Sequence, residues 1–154
     1  MKKIIVLLLI LSFSIFYSCK NVRVYNEYFK IEDNKWSVND TIKYNIEIDD
    51  ISSSYDLLLS VRYGNEYMYR NLYLFFNTLF PDSTMLTDTV LLILSDPSGK
   101  LLGKNKGHLK EAQFILGNNV SFKERGNYSF DIIHGMRHDT IEGIHEIGIT
   151  VNKK

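Results

Sequence analysis

The sequence predicts an all-β protein, a single antiparallel β-sandwich domain of about seven to eight strands. Three observations carry this. Alanine, the best helix former, occurs once, at Ala112, whereas Tyr occurs ten times and Phe nine. Apolar residues recur with a period of two, most cleanly as Ile42, Tyr44, Ile46 and Ile48 separated by Lys43, Asn45 and Glu47. Turn signals then punctuate the chain at short intervals, as they do between the strands of a sandwich.

The elements follow in order. Residues 22–29 read as a first strand and 41–48 as a second, closed by Asp49, Asp50 and a run of serines. Residues 55–63 form a third, with Tyr55, Leu57, Leu59, Val61 and Tyr63 on one face. Gly64 and Asn65 signal a tight turn, so 66–76 is expected to return as its hairpin partner. Pro81, Asp82 and Ser83 break the chain before a strand at 85–94, itself closed by Asp96, Pro97, Ser98 and Gly99. A loop rich in Gly and Lys runs to Gly107, where glycine allows positive φ. Residues 108–116 fit a strand or one to two helical turns. Turns are expected at 117–119 and 124–127, and the last strands at 127–134 and 144–151. No internal repeat, low-complexity segment or second domain interrupts the pattern.

The N-terminus reads as a processing signal. Lys2 and Lys3 precede an apolar run over 4–16, broken only by Ser12 and Ser14. That run is shorter than the roughly 20 residues of a membrane-spanning helix and fits a secretory leader. Phe16, Tyr17, Ser18 and Cys19 then resemble a bacterial lipobox, cut before Cys19. Cys19 is the only cysteine, so it has no internal disulfide partner. The expected organisation is a signal peptide at 1–18, lipidated Cys19 with a short tether at 19–21, and the sandwich domain at 22–154. Several acyl chains on one cysteine hold stably in a membrane. Basic and acidic residues balance at 18 each, which gives no electrostatic reason to expect nucleic acid.

The densest polar cluster contains His134, His138, Asp139, Glu142, His145 and Glu146. A metal site needs three or four such groups to converge. Here His134 ends a strand, His138 lies in a connection, and His145 and Glu146 point to opposite faces, so ordinary loop and surface roles are expected, with no metal or other cofactor. No Gly-x-Ser-x-Gly elbow occurs, and no nucleophile, base and orienting group line up for an enzyme. The sequence GKLLGKNKGH fails the phosphate-loop template, because Lys104 stands at the second glycine position and no Lys-Ser/Thr follows. Tyr67, Tyr69, Tyr73 and Phe75 form a stripe on one face of the expected 66–76 strand, read mainly as core. Arg62 faces away from the core set of its strand, with Asp56 on the same side. Arg137 lies beside Met136 and near Asp139. Each arginine reads first as a tie to its own fold and second as a contact for a partner.

Several short motifs now resemble a family. In YDLLLSVRYGNEYMYRNLYLFF, Arg62, Tyr67, Tyr69 and Asn71 match the Arg and Tyr-x-Tyr-x-Asn positions of the GldH-type gliding-motility lipoproteins of the Bacteroidota. DTVLLILSDPSGKLLGKNKG is similar to the same family through Asp88, Thr89, Leu94, Asp96, Gly99, Gly103 and Lys104, with Leu101 standing for a Trp and Asn105 for a second Gly. The ending matches through Gly126, Tyr128, Phe130, Met136, Arg137, Asp139, Gly143 and Ile144, and Trp36 and Cys19 also fit. The resemblance covers nearly all of the chain after the leader. It implies a membrane-tethered accessory component of gliding motility and its linked type 9 secretion apparatus, with other envelope proteins as partners and no known enzyme activity. The residues leave two classes open, an interaction module or a small-ligand or glycan-binding lipoprotein. Lys20 after Cys19, with no acidic run beyond it, points to the outer membrane with the domain facing the periplasm.

Overall fold

The computed structural model describes residues 22–154. The leader, Cys19 and the tether, for which processing and lipidation are expected, lie outside the described residues. The chain runs through β1 (Val22–Lys30), a 3-10 turn (Glu32–Asn34), β2 (Lys35–Ser37), β3 (Ile42–Ile48), β4 (Tyr55–Tyr63), β5 (Asn71–Leu79), β6 (Met85–Ile93), β7 (Lys104–Lys106), β8 (Leu109–Val120), β9 (Gly126–His134), β10 (Thr140–Glu142) and β11 (Ile144–Lys153). A five-stranded sheet in the order β1-β11-β4-β8-β7 packs on a four-stranded sheet in the order β3-β9-β5-β6, and β2 pairs with β10 at one end. Every pairing is antiparallel. The antiparallel all-β sandwich predicted from composition and periodicity is the fold observed.

The period-two segments sit as expected. Strand β3 alternates buried and exposed residues along its whole length. Leu59, Val61 and Tyr63 of β4 and Ile147, Ile149 and Val151 of β11 meet Ile42, Ile46, Leu72, Leu74 and Ile132 across the core. Core tyrosines also bridge polar backbone. The Tyr44 hydroxyl donates to the Ile147 carbonyl at 2.6 Å. The Tyr63 hydroxyl lies 2.7 Å from the Leu94 carbonyl and 2.8 Å from that of Leu102. Burial pushes the Tyr63 pKa up to about 12, which keeps this donor protonated.

Four expectations change. The hairpin across Gly64 and Asn65 does not form, because both edges of β4 are already taken by β11 and β8. Residues 64–70 instead cross to the other sheet, where β5 pairs with β6 and β9. The tyrosine stripe therefore splits. Tyr67 is buried in the crossover and packs edge-on against Tyr63 and Tyr69, whereas Tyr73 and Phe75 lie on the outer face of β5, 41% and 42% exposed. The ambiguous 108–116 segment is strand β8, which continues through the turn expected at 117–119. There the chain bulges, with a register shift against β4 and Asn119 at positive φ. Finally, the three-residue strands β2, β7 and β10 add to the eight long ones, because so few residues carry no readable period.

The sandwich has two distinct ends. One end, called the tether end because the expected tether would lead into it, holds the start of β1 at Val22, the start of β4, the end of β11 and the loops at 49–54, 80–84 and 121–125. The far end holds the turns at 31–41, the 64–70 crossover, the 94–103 loop and the 135–139 connection. Nine residues of β4 separate them, roughly 30 Å at about 3.3 Å per residue.

Candidate functional site: the far-end loop and adjoining sheet face

Residues 135–139 join β9 to β10, and backbone groups hold both ends of this loop. The Gly135 N–H donates to the Tyr73 carbonyl at 2.7 Å, and the Val38 N–H donates to the Asp139 carbonyl at 2.7 Å. Between these points Met136 packs half-buried against the core, its sulfur 3.4 Å from the Tyr73 nitrogen, a weak acceptor for that N–H. The loop is therefore fixed without help from Arg137. Arg137 is exposed and forms no ion pair or side-chain hydrogen bond among the described residues. The expected tie from Arg137 to Asp139 is not formed, and the exposed Asp139 contributes its carbonyl instead.

The loop borders a groove of about 540 Å³ lined by Tyr69, Asn71, Tyr73, Met136, Arg137 and His138. Tyr69 is half-buried, its ring 6.0 Å from that of His138 and tilted by 34°. Tyr67 fixes the floor, because its hydroxyl donates to the Asn71 carbonyl at 2.8 Å. Beyond the groove lies the outer face of the four-stranded sheet. Register sets Tyr73 opposite Leu91, Asn71 opposite Ile93 and Phe75 opposite Ile133. Leu91 is 50% exposed and Ile93 37%, so with Tyr73 and Phe75 they form an exposed apolar face beside Asn71. It is an open sheet surface and not a deep pocket ringed by tyrosines.

Arg62 does the opposite of Arg137. On the outer face of the five-stranded sheet its Nε donates to Glu111 at 2.6 Å, and its Nη1 pairs with Glu146. Its guanidinium also sits 3.9 Å from the centre of the Tyr28 ring. Asp56, the partner suggested by strand position, binds Lys154 at 2.9 Å instead. Arg62 thus ties β4 to β8, β11 and β1.

The histidines scatter. His134 is fully buried edge-on to Trp36, with ring centroids 5.4 Å apart. Burial lowers its pKa, and the nearby backbone of Asp139 and Trp36 acts the other way. His145 faces His108 and Glu66, while the exposed Glu142 pairs with Lys35 at 3.3 Å. Among the described residues no three His, Cys, Asp or Glu side chains converge as metal ligands do. Gly99, Gly103 and Gly107 all have positive φ, the role expected of them in this β connection.

Sequence reasoning found Met136, Arg137, Tyr69 and Asn71, and the structure brings them together. It missed Leu91 and Ile93. The available signal was a run, Val90 to Leu94, that is apolar on both faces of one strand.

Comparison with known proteins gives a consistent result. Residues 23–151 match the GldH lipoprotein family. The chain is 31% identical over 155 residues to the gliding motility lipoprotein GldH homolog of Christiangramia forsetii, covering 96% of this chain and 94% of that protein. It is 26% identical over 154 residues to the gliding motility lipoprotein GldH of Flavobacterium johnsoniae, covering 96% and 95%. A solved structure of an infectious bursal disease virus strain matches at a TM-score of 0.36 and 14% identity, over 86% of this chain and 32% of that one, a likeness too slight to carry anything over. Full-length similarity to both relatives, with the family match spanning β1 to β11, places the chain in the GldH lipoprotein family.

Proposed function

We propose that this protein is a lipid-anchored envelope component of gliding motility, or of the secretion apparatus linked to it, that acts without catalysis through protein–protein contacts at its far end. One observation carries the reading. Arg137 stands free on a loop that is held without it, beside an exposed aromatic and aliphatic face. Arginine and aromatic residues dominate binding energy at interfaces, and loops on rigid sheets commonly carry function. The relatives' names supply the process, and Cys19 supplies the anchor. Lys20 and the non-acidic residues after it support an outer-membrane site with the domain facing the periplasm.

The test is Arg137→Ala in cells and in the purified protein. The expected variant melts within about 0.5 kcal/mol of wild type, as surface changes usually do. It reaches normal abundance, and it fails to co-purify envelope partners or support motility. A variant that becomes unstable and scarce would return Arg137 to a structural role. Protease added to intact cells is expected to spare the domain; its loss while a periplasmic marker survives would place the domain on the cell surface.

A further inference from the structure

At the tether end the sandwich does not close. Register with Thr78, Phe76, Leu74 and Leu72 places Leu86, Asp88, Val90 and Leu92 of β6 on the face turned towards the other sheet. Leu92 is buried, Val90 is half-buried, and Leu86 is 50% exposed. The sheets therefore part progressively along this edge. The gap is a cleft of about 520 Å³ whose apolar walls are Leu57, Phe80, Leu86, Leu116, Phe122 and Phe130, with the charged Asp82, Asp88, Lys123 and Glu124 also lining it. A core-facing leucine half exposed among aromatic and aliphatic walls marks a core that lacks an apolar component.

The position at which β1 starts indicates what that component is. Val22 pairs with Lys153, and Lys153 pairs with Tyr55, which lines the cleft. Two strand spacings, about 10 Å, thus separate the start of β1 from the cleft wall. Cys19 lies three residues before Val22, a reach of at most about 11 Å. We propose that one acyl chain carried by Cys19 lies in this cleft and completes the core between β6 and β8. The inference rests on the lipidation of Cys19 proposed above. A lipid already attached to the chain has a high effective concentration at the cleft. Lys153 and Lys154 are already paired with Asp50 and Asp56, whereas Lys123, which lines the cleft, has no ion pair among the described residues, so a loose phospholipid is the competing occupant that the test distinguishes. The remaining acyl chains on the cysteine stay in the bilayer. Seating one chain in the cleft holds the tether end against the membrane and directs the far end away from it.

The test uses the full protein from cells fed a fatty acid that bears a diazirine. The protein is purified, irradiated, digested and analysed by mass spectrometry. The expected product joins the lipid-bearing Cys19 peptide to peptides from 78–88 or 114–124. Leu86→Asp, at a half-exposed position, is expected to reduce that product at least fivefold while the circular dichroism spectrum stays that of wild type. A labelled phospholipid on the cleft peptides, without the Cys19 product, would overturn the choice of occupant. A lipidated Cys19 peptide whose crosslinks all fall elsewhere would overturn the inference and leave the anchor intact. A Cys19 peptide without lipid would sink the anchor and the inference together.

Discussion

Arg62 leaves the core side of β4 and meets two carboxylates from the strands on either side, Glu111 of β8 and Glu146 of β11. The three side chains are only 20–27% exposed, so the pairing is screened less than a surface ion pair. Burial alone would raise the Glu111 pKa, but the hydrogen bond and charge of Arg62 outweigh it and hold the group below its ordinary 4.5. Arg62→Ala leaves two carboxylates facing each other without a cation. The expected cost is about 2–3 kcal/mol near pH 7, the range for losing hydrogen bonds between charged groups. Because the Glu111 pKa is depressed in the folded protein, its contribution is complete above pH 4.5 and is lost as pH falls through the lowered value. The gap between wild type and variant should therefore narrow on acidification, in urea melts run from pH 7 down to pH 3. A gap that stayed constant would show that packing on Tyr28, and not charge, accounts for the loss. Strand alternation alone put Arg62 on the outer face. It could not name the partners, because these come from neighbouring strands whose register is set by the whole sheet, and the nearest acidic residue on the same face, Asp56, is engaged elsewhere.

The strands were legible in the sequence and their connections less so. Period-two alternation gave β3, β4 and β9 nearly to the residue, because each buries one face against the core. The crossover after β4 was hidden behind a good turn signal, since sheet order depends on which edges are free and not on local propensity. Gly143 shows what fixes that crossover. Its φ is +86°, its carbonyl accepts from the Gly64 N–H at 3.0 Å, and its own N–H donates to the Asn34 carbonyl at 3.1 Å. Three segments thus meet at this residue, and a Cβ there would run into the backbone nitrogen of Tyr67. Gly143→Ala combines a left-handed backbone with a clash against main chain that cannot rotate away. It is expected to cost about 2–4 kcal/mol in chemical denaturation. Gly99 has a similar φ of +85° but open space around it, so Gly99→Ala should cost only about 1 kcal/mol. Equal losses would mean that the crossover yields to the added methyl and does not pin the far end. The proposed site was half legible by the same logic. Met136 and Arg137 stood out as residue types in a loop, but the adjoining Leu91 and Ile93 belong to a strand whose outward side became evident only from its pairing with β5.

At the scale of the molecule, β1 starts at one end of the sandwich, and Arg137 is presented at the other, roughly 30 Å away along the strands. Only residues 19–21 stand between the proposed lipid and β1. In the proposed arrangement the short tether and the seated acyl chain together set the distance of the far-end surface from the membrane plane. A partner that meets this surface is then searched for in a narrow layer, which raises its effective concentration. Inserting about twenty Gly and Ser residues between Asn21 and Val22 would loosen that restriction. Such a linker spans about 25 Å root-mean-square, comparable to the sandwich itself. The insertion changes no residue of the described core, so abundance and the circular dichroism spectrum are expected to match wild type, and any fall in melting temperature reports the acyl chain held less firmly in its cleft. Co-purification of envelope partners is expected to fall several-fold, as it should for Arg137→Ala, but through reach and not through lost contact. Combining the two changes separates the causes. If both act on one interaction, the insertion should do little more to a protein already lacking Arg137. Partner capture unchanged by the longer tether would show that the far end works at no fixed height, and would leave the lipid with the role of retention alone.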